Sequence, residues 1–309
     1  MQQSSEFRLI MISAMNENGG NTLHRFLDGH SHLYVYPFES QVGTPLVSDY
    51  LSSLFPHKYR WAEFSLSGNL SDDYELIVDE ELKRHVKTPF ASKFIDAHMN
   101  LKDPERKAIF LGLLRDKERT RANILQAFFV STFQAWKDYP HTGKEMAYVG
   151  YSPIVGVDGE KILQDFPNAH VIHIVRNPFS AYADTKKRPV PYSPWRYGQT
   201  WSIVQYYALT LAKKFPNNFH LVRFEDMVGD TTEFFNGLTG KLGIPYESIL
   251  EYPSWCGKRL ENTVPWGVVQ KATVTANTNT AQELSEQERN EIAHQTQTLN
   301  QILGYETQQ

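Results

Sequence analysis

Near the start of the chain, an apolar run, a pair of glycines and a helix-like repeat follow one another directly. The run has the length of a buried strand and begins at Phe7, and Gly19 and Gly20 come shortly after it. Apolar residues then recur at helical spacing, at Leu23, Phe26 and Leu27. Two glycines allow a tight turn whose N–H groups, together with the helix dipole, face one concavity. The segment therefore predicts a site for an anion such as phosphate, although a plain turn capped by Asn21 or Thr22 would give the same pattern.

Apolar runs of strand length alternate with helical patterns along the rest of the chain. Strands are predicted close to residues 33–39, 146–151, 171–175 and 219–224. Helical patterns occupy residues 43–55, 108–139 (one helix or two), 159–166, 195–215, 231–242 and 284–303, and Asn177-Pro178 opens another helix. This alternation predicts an α/β fold with a P-loop-like parallel sheet flanked by helices. We expect a single domain over residues 1–309, with a helical insertion at roughly 57–140.

The composition narrows the class of protein. With 309 residues, of which 41% are hydrophobic and 21% charged, the chain can bury a full globular core. Its formal charge of −4 gives no reason to expect nucleic acid as a partner, and its single cysteine, Cys256, excludes a disulfide framework or a cysteine-based zinc cluster. No apolar run approaches about 18 residues, and no secretory signal is visible. We therefore expect a cytoplasmic protein without an integral membrane segment.

Polar residues follow the predicted strands closely. Glu39, Arg176 and Glu225 each come just after a strand, as the glycine turn does. Ligands of open parallel sheets bind beyond the carboxyl ends of the strands, which meet at one edge. We therefore expect these residues to line one crevice.

The glycine turn differs from the loop that binds nucleoside triphosphates. That loop requires the pattern G-x-x-x-x-G-K-[ST], whereas residues 15–22 read MNENGGNT and have no lysine after the final glycine. No clear apolar strand ends in an aspartate suited to magnesium. A kinase-like or nucleotide-hydrolysing enzyme stays open as an alternative, with little support from the sequence.

Three segments, in family order, resemble the sulfotransferases that use 3′-phosphoadenosine-5′-phosphosulfate (PAPS). Residues 18–23, NGGNTL, correspond to the family's [RK]-S-G-T-T-L, and residues 171–188, VIHIVRNPFSAYADTKKR, resemble its L-R-[DN]-P segment. Residues 219–246 contain RFEDM, a helix-like stretch and KLGIP, similar to the family's R-[YF]-E-D-L and F-L-G-[IL]-P. Residues 299–305, LNQILGY, resemble the end of the carbohydrate- and protein-tyrosine-type members.

The resemblance implies transfer of a sulfuryl group from PAPS to a hydroxyl of a small-molecule or glycan acceptor, without a metal ion. The turn would hold the 5′-phosphosulfate through Asn18, Gly19, Gly20, Asn21 and Thr22. Arg176 would bind the 3′-phosphate with its guanidinium fork. Glu39 matches a catalytic glutamate of the family and would take the proton of the acceptor, although a surface carboxylate would look the same. His24, His30 and His32 are alternative bases.

Two residues depart from the family pattern. Asn18 replaces a basic residue and brings no positive charge to the turn. Asp184 replaces a serine of the 3′-phosphate site, where an ionised carboxylate would repel phosphate. The missing donors or charge could come from Ser180, Thr185, Lys186, Lys187 and Arg188. A family member that binds a nucleotide but transfers sulfate weakly, if at all, is therefore a third hypothesis.

Other segments have less certain assignments. The resemblance places Trp266, Gly267 and Lys271 in a loop that closes over the cofactor, although a plain surface loop would fit equally. Arg223, Glu225 and Asp226 are more typical of a structural ion-pair corner than of cofactor ligands. The basic cluster at residues 115–121 is typical of a solvated face, with an anionic acceptor as the alternative.

Overall fold

Five parallel strands form the central sheet, in the order β2-β3-β1-β4-β5. The computed structural model describes residues 7–189, 192–262, 265–268 and 279–305. The strands are β1 (Leu9–Ala14), β2 (Leu33–Val35), β3 (Ala147–Tyr151), β4 (His170–Val175) and β5 (Phe219–Arg223). The predicted α/β fold with a parallel sheet is confirmed.

Helices cover both faces of this sheet. In chain order they are α1 (Gly20–Leu27), α2 (Leu70–Leu76), α3 (Glu80–Lys87), α4 (Asp103–Leu114), α5 (Arg121–Ala135), α6 (Gly159–Asp165), α7 (Pro178–Thr185), α8 (Pro194–Lys214), α9 (Phe224–Gly229), α10 (Thr231–Leu242) and α11 (Glu286–Ile302). A small antiparallel ladder joins β6 (Ser254–Trp255) to β7 (Lys258–Arg259). Because side chains alternate along a strand, Leu9 and Met11 of β1 pack in one core with α5, and Ile10 and Ile12 pack in another with α1 and α10.

Local sequence signals set several helix boundaries. The side chain of Asn177 caps α7 by accepting hydrogen bonds from the backbone N–H groups of Phe179 and Ser180. Pro178 occupies the first turn of that helix, where a missing N–H costs nothing. Gly243 ends α10 in the left-handed conformation, with φ of 61°. These boundaries agree with those predicted from the sequence.

The segment between β2 and β3 differs from the prediction in one place and confirms it in another. Residues 43–55 were predicted to be helical, but only Tyr50–Ser53 form a short 3-10 turn. Gly43 is instead bonded to distant backbone, since its N–H donates to the Lys58 carbonyl and its carbonyl accepts from Val78. The pattern over 108–139 corresponds to α4 and α5, with a break between them. The single domain over residues 1–309 stays a prediction.

The basic cluster at residues 115–121 is partly used for packing. Arg119 donates to the carboxylate of Asp73 at 2.7 Å, and Asp73 is fully buried. Arg121 pairs with Asp165 and Glu63. The expectation of a purely solvated face is wrong for these two arginines, because they tie α5 and the preceding loop to other elements.

Among the described residues, no helix combines the length and the apolar character that crossing a bilayer requires.

Candidate active site

The turn between β1 and α1 depends on its two glycines. Gly19 has φ of 94° and is the N-cap of α1, without a capping hydrogen bond from a side chain. The alternative in which Asn21 or Thr22 caps the helix is therefore wrong. A Cβ atom on Gly19 would lie 2.3 Å from the ring of Phe224, and one on Gly20 would lie 2.5 Å from the ring of Tyr151. Two aromatic rings thus close on the turn from either side, and only glycine fits between them.

We expect Gly20→Ala to lower the free energy of unfolding by about 1–3 kcal/mol, the usual cost of overpacking a tight site. The added methyl overlaps the ring of Tyr151, which is buried and cannot move aside freely. Urea denaturation measures the change. Gly237→Ala is the matched control, because Gly237 lies within α10 with open space around its Cα. That variant should gain about 0.5–1 kcal/mol through helix propensity, and equal losses in both variants would contradict the steric argument.

A cavity of about 180 Å³ lies over the turn, and we call it the turn cavity. Its lining consists of Asn16, Glu17, Gly19, Gly20, Asn21, Glu39, Tyr59, Lys93, Tyr151, Arg188 and Gly267. Three of the predicted turn residues, Gly19, Gly20 and Asn21, therefore face one concavity, and Glu39 faces it as well. This part of the predicted crevice is assembled from the carboxyl ends of neighbouring strands, as expected.

Asn18 and Thr22 do not line the turn cavity. The Asn18 side chain is buried, accepts from the backbone N–H of Arg176 at 3.0 Å and donates to the carbonyl of Asn16 at 2.8 Å. It also donates to the hydroxyl of Tyr197 at 3.3 Å. Asn18 therefore ties the turn to the end of β4, and its amide is committed to the protein. Thr22 is buried within α1.

Arg176 lies beside the turn, because β4 is the direct neighbour of β1. Its Nη1 donates to the carbonyl of Glu17 at 3.0 Å and to Asp184 Oδ2 at 2.8 Å, and its guanidinium carbon lies 5.1 Å from the ring centroid of Phe224. Asp184, on α7, thus pairs with the arginine and does not stand as an isolated carboxylate. The pair is held at the same sheet edge as Gly19 and Gly20.

A second cavity, of about 280 Å³, adjoins the first, and we call it the polar cavity. Its lining consists of Glu39, Gln41, Lys58, Tyr59, Glu80, Glu81, Arg84, Ala91, Ser92, Lys93, Phe94 and Arg188. Four residues line both cavities: Glu39, Tyr59, Lys93 and Arg188. These four side chains therefore mark the junction of the two spaces.

The carboxylate of Glu39 is held at this junction by Gln41. Gln41 has φ of 35°, which is unusual outside glycine, and its Nε2 donates to Glu39 Oε2 at 2.9 Å. Its Oε1 accepts from the backbone N–H of Glu80 at 3.0 Å, so the start of α3 fixes the amide. Burial, followed by the neighbouring Glu81 carboxylate, raises the pKa of Glu39 to about 7. A carboxylate with that pKa suits proton transfer near neutral pH.

The three histidines considered as bases are committed elsewhere. Burial, with the Arg25 guanidinium beside it, lowers the pKa of His24 well below its ordinary value. His30 Nδ1 accepts from the backbone N–H of His32 at 3.1 Å, so its Nε2 carries the proton and donates to the Pro245 carbonyl at 2.9 Å. None of the three lines the turn cavity or the polar cavity.

Two of these histidines belong to a group of side chains that could hold a metal ion. His30, His32 and Glu247 bring possible ligand atoms within 4.8 Å of one another. Both ring nitrogens of His30 are already hydrogen-bonded, however, so this group offers no lone pair from His30 without breaking the loop around it.

The remaining residues considered in the sequence analysis differ in whether they line the two cavities. Glu225 does not line the two cavities, so the expectation that it lines the crevice is wrong. It accepts from the backbone N–H of Asn177 and the hydroxyl of Tyr305, as expected for a structural corner. Gly267 lines the turn cavity, and Trp266 packs 4.8 Å from the ring of Phe94, centroid to centroid. Lys271 lies outside the described residues.

Tyr59, Lys93 and Tyr151 were not singled out from the sequence. Tyr59 lies in a 3-10 turn and Lys93 in an irregular stretch after another, and such segments have no periodic pattern that would point to a site. Tyr151 ends β3, at the same edge as the other strand ends. Its position was the only signal that sequence reasoning could have used.

Comparison with known proteins decides the family. The family model described as "Sulfotransferase family" matches residues 10–248, most of the chain. The chain belongs to the sulfotransferase family. Membership confirms the resemblance carried by the turn, the β4–α7 segment and the β5–α10 segment. It makes the chain a transferase of the sulfotransferase kind.

Solved sulfotransferase structures share its fold. The "Sulfotransferase Domain from the Curacin Biosynthetic Pathway" is similar with a TM-score of 0.55 and 18% identity, covering 98% of this chain and 99% of that chain. The "Sulfotransferase Domain from the Synechococcus PCC 7002 Olefin Synthase" has a TM-score of 0.50 and 17% identity, covering 92% and 96%. At such identities the likeness shows the fold alone. No individual curated protein sequence matches the chain.

Proposed function

We propose that this protein transfers the sulfuryl group of PAPS to a hydroxyl of a small-molecule or glycan acceptor, with Glu39 as the general base. One observation carries the proposal: a cavity over a glycine turn and a second, polar cavity meet at a carboxylate whose pKa is about 7. A transfer between two bound molecules needs such a junction, because the base must reach the attacking hydroxyl beside the donor.

The residues around the turn fit an adenosine 3′,5′-bisphosphate group. Gly19 and Gly20 present bare backbone at the N-terminus of α1, where anions bind well. Arg176 would bind the 3′-phosphate, because its guanidinium lies beside the turn at the same sheet edge and brings the positive charge that a phosphate favours, although it lines neither cavity. Asp184 would keep that guanidinium in place through its bond to Nη1. PAPS, when bound, supplies the activated sulfuryl group.

Glu39 would accept the proton of the acceptor hydroxyl. Gln41 orients the carboxylate from one side, so that its remaining oxygen is available to the cavities. Sulfuryl transfer resembles phosphoryl transfer, for which positioning and charge stabilisation are the main catalytic contributions. No covalent intermediate on the protein is required by this arrangement.

The lining of the polar cavity supports a polar acceptor. Lys58 and Arg84 both pair with Glu80, and Lys93 pairs with Glu81, so five of the twelve lining residues are charged groups that pair with one another. Tyr59 adds an aromatic face with a hydroxyl. A compact molecule with several hydroxyls, such as a sugar, suits these walls because it can hydrogen-bond to them.

The test is stabilisation of the protein by 3′-phosphoadenosine-5′-phosphate (PAP), compared with ATP plus magnesium and with 5′-AMP. A ligand that binds only the folded state stabilises it by about 2.7 kcal/mol at a hundred times its Kd. We expect PAP to raise the melting temperature more than either of the others at equal concentration. Greater stabilisation by ATP, with turnover, would favour a kinase-like enzyme.

An assay of sulfuryl transfer distinguishes the proposed enzyme from a family member that binds the nucleotide but transfers sulfate weakly, if at all. Labelled PAPS incubated with a panel of sugars and phenols should yield a sulfated product. Binding of PAP without any transfer across the panel would favour the nucleotide-binding hypothesis. A cytoplasmic location stays a prediction from the sequence.

A further inference from the structure

The glycine turn supplies no positive charge to the site. Residues 15–22 contain neither lysine nor arginine, and Glu17 adds a carboxylate to the turn cavity. Arg25 is the nearest cation along the chain, but it is buried, donates to the Tyr36 carbonyl at 2.9 Å and faces Asp28. Transfer of a sulfuryl group leaves negative charge on the departing phosphate, and enzymes stabilise such charge with preorganised cations or donors. The cation must therefore come from another part of the chain.

We propose that Lys93 and Arg188 supply this charge at the 5′ end of the bound nucleotide, in place of the cation that the turn lacks. The inference rests on the proposed function and assigns these two residues to it. Both side chains line the turn cavity and the polar cavity, so both stand at the junction that holds Glu39.

Lys93 is held at the junction by its neighbours. Phe94, the next residue, stacks on the ring of Phe38 with centroids 4.3 Å apart and lies 4.8 Å from the tilted ring of Trp266, which anchors the backbone. The ammonium of Lys93 lies 2.5 Å from Glu81 Oε1. Glu81 also accepts from the backbone N–H of Glu39, so the ammonium is close to the proposed base. About half of the Lys93 side chain is exposed, so an incoming anion can approach the ammonium beside Glu81.

Arg188 reaches the same place from the other end of α7. Its backbone N–H donates to the Thr185 carbonyl, which continues the helix end as a turn. Its Nη1 lies 3.7 Å from Glu17 Oε1, and Glu17, like Lys93, lines the turn cavity. Arg176 precedes α7 and Arg188 follows it, so one helix would connect the groups for the 3′-phosphate and for the 5′ end.

If Lys93 and Arg188 served only to stabilise the fold, replacing them would not change the affinity for the 5′ end of a nucleotide. Exposed ion pairs contribute about 0–1 kcal/mol to stability, so Lys93–Glu81 and Arg188–Glu17 are expected to matter little for folding. Their replacement should therefore leave the protein folded. A loss of affinity for PAP but not for 3′-AMP would then come from contact with the 5′-phosphate, the group by which the two ligands differ.

The experiment compares ligands that differ only at the 5′ end. Calorimetry would measure the Kd of PAP and of 3′-AMP for the parent protein, Lys93→Met and Arg188→Met. Hydrogen bonds to charged groups are each worth enough to change Kd on the order of tenfold. We expect each variant to bind PAP about tenfold more weakly and 3′-AMP unchanged, with Lys93→Arg close to the parent. Lys107→Met is the control, because Lys107 pairs with Glu75 and lines neither cavity.

Three results would overturn the inference. Unchanged affinity for PAP in both variants would remove Lys93 and Arg188 from the nucleotide site. Equal losses for PAP and 3′-AMP would indicate a general disturbance. A parent protein that binds no PAP at all would refute the proposed function itself, and this result is distinguishable because it appears before any variant is made.

Discussion

Glu39→Gln is expected to lower kcat for sulfuryl transfer by about a hundredfold to ten-thousandfold, the usual contribution of a general base. Glutamine keeps the shape of the side chain, and its oxygen can still accept the hydrogen bond from Gln41, but it cannot take a proton. The Kd of PAP should stay within about twofold, because the substitution removes no group proposed to hold the nucleotide. Steady-state kinetics and calorimetry measure the two quantities separately.

The pH dependence gives an independent check on the same residue. A base works when deprotonated, so kcat/KM should fall as pH drops through about 7, the pKa of Glu39. In Glu81→Gln that fall should move to lower pH, since the Glu81 carboxylate is one cause of the raised pKa of Glu39.

The raised pKa of Glu39 also predicts an effect on stability. Because folding raises this pKa, the ionised carboxylate destabilises the folded state at pH 8, and Glu39→Gln should unfold at a higher temperature there. If Glu39→Gln kept kcat within about threefold of the parent value, another group would be the base.

Arg106→Met is expected to lower the free energy of unfolding by about 3–5 kcal/mol, the cost of leaving one partner of a buried ion pair alone. Arg106 is fully buried, and its Nη1 donates to Asp79 Oδ2 at 2.6 Å. Its Nη2 donates to the hydroxyl of Tyr36 at 3.1 Å, which itself donates to Asp79 Oδ1. Methionine fills much of the space but removes the cation that is hydrogen-bonded to the Asp79 carboxylate, and urea denaturation would measure the loss.

Lys214→Met is the control for that experiment. Lys214 pairs with Glu160 at the surface, where both side chains are about half exposed, so the free energy of unfolding should change by less than about 1 kcal/mol. Similar losses in the two variants would show that burial of the Arg106–Asp79 pair does not determine its effect.

The Arg106–Asp79 pair is also connected to the candidate site. The backbone N–H of Asp79 donates to the carbonyl of Gln41, the residue that holds Glu39.

The features that could be predicted from the sequence are those with a local pattern. The apolar run before Gly19 and Gly20, and the helical spacing after them, identified β1, the turn and α1. The Arg176-Asn177-Pro178 stretch marked the end of β4 and the capped start of α7. Because parallel strands end at one edge, these local signals predicted that Arg176 and the turn share that edge, whereas the pairing of β4 with β1, which makes them neighbours, came from the tertiary structure.

The sequence was less informative where the chain has no periodic pattern. The pattern of residues 43–55 predicts a helix, yet the backbone groups of Gly43 bond to Lys58 and Val78, and only Tyr50–Ser53 form a helical turn. Asn18 matched the position of a ligand, but the structure uses its amide to join the turn to β4 and Tyr197. In both cases long-range partners decided the conformation, and their positions cannot be deduced from neighbouring residues.

By itself the sequence determined the α/β fold, the glycine turn and the position of Arg176 at the end of a strand, because periodicity and glycine geometry act over a few residues. Only the tertiary structure decided the surroundings of Glu39, including Gln41, Glu81, Lys93 and Arg188. Apart from Gln41, these side chains come from segments far from Glu39 in the chain, and their distances depend on how β2, α3 and α7 pack. The pKa of a carboxylate and the position of a cation depend on such distances, which packing alone sets.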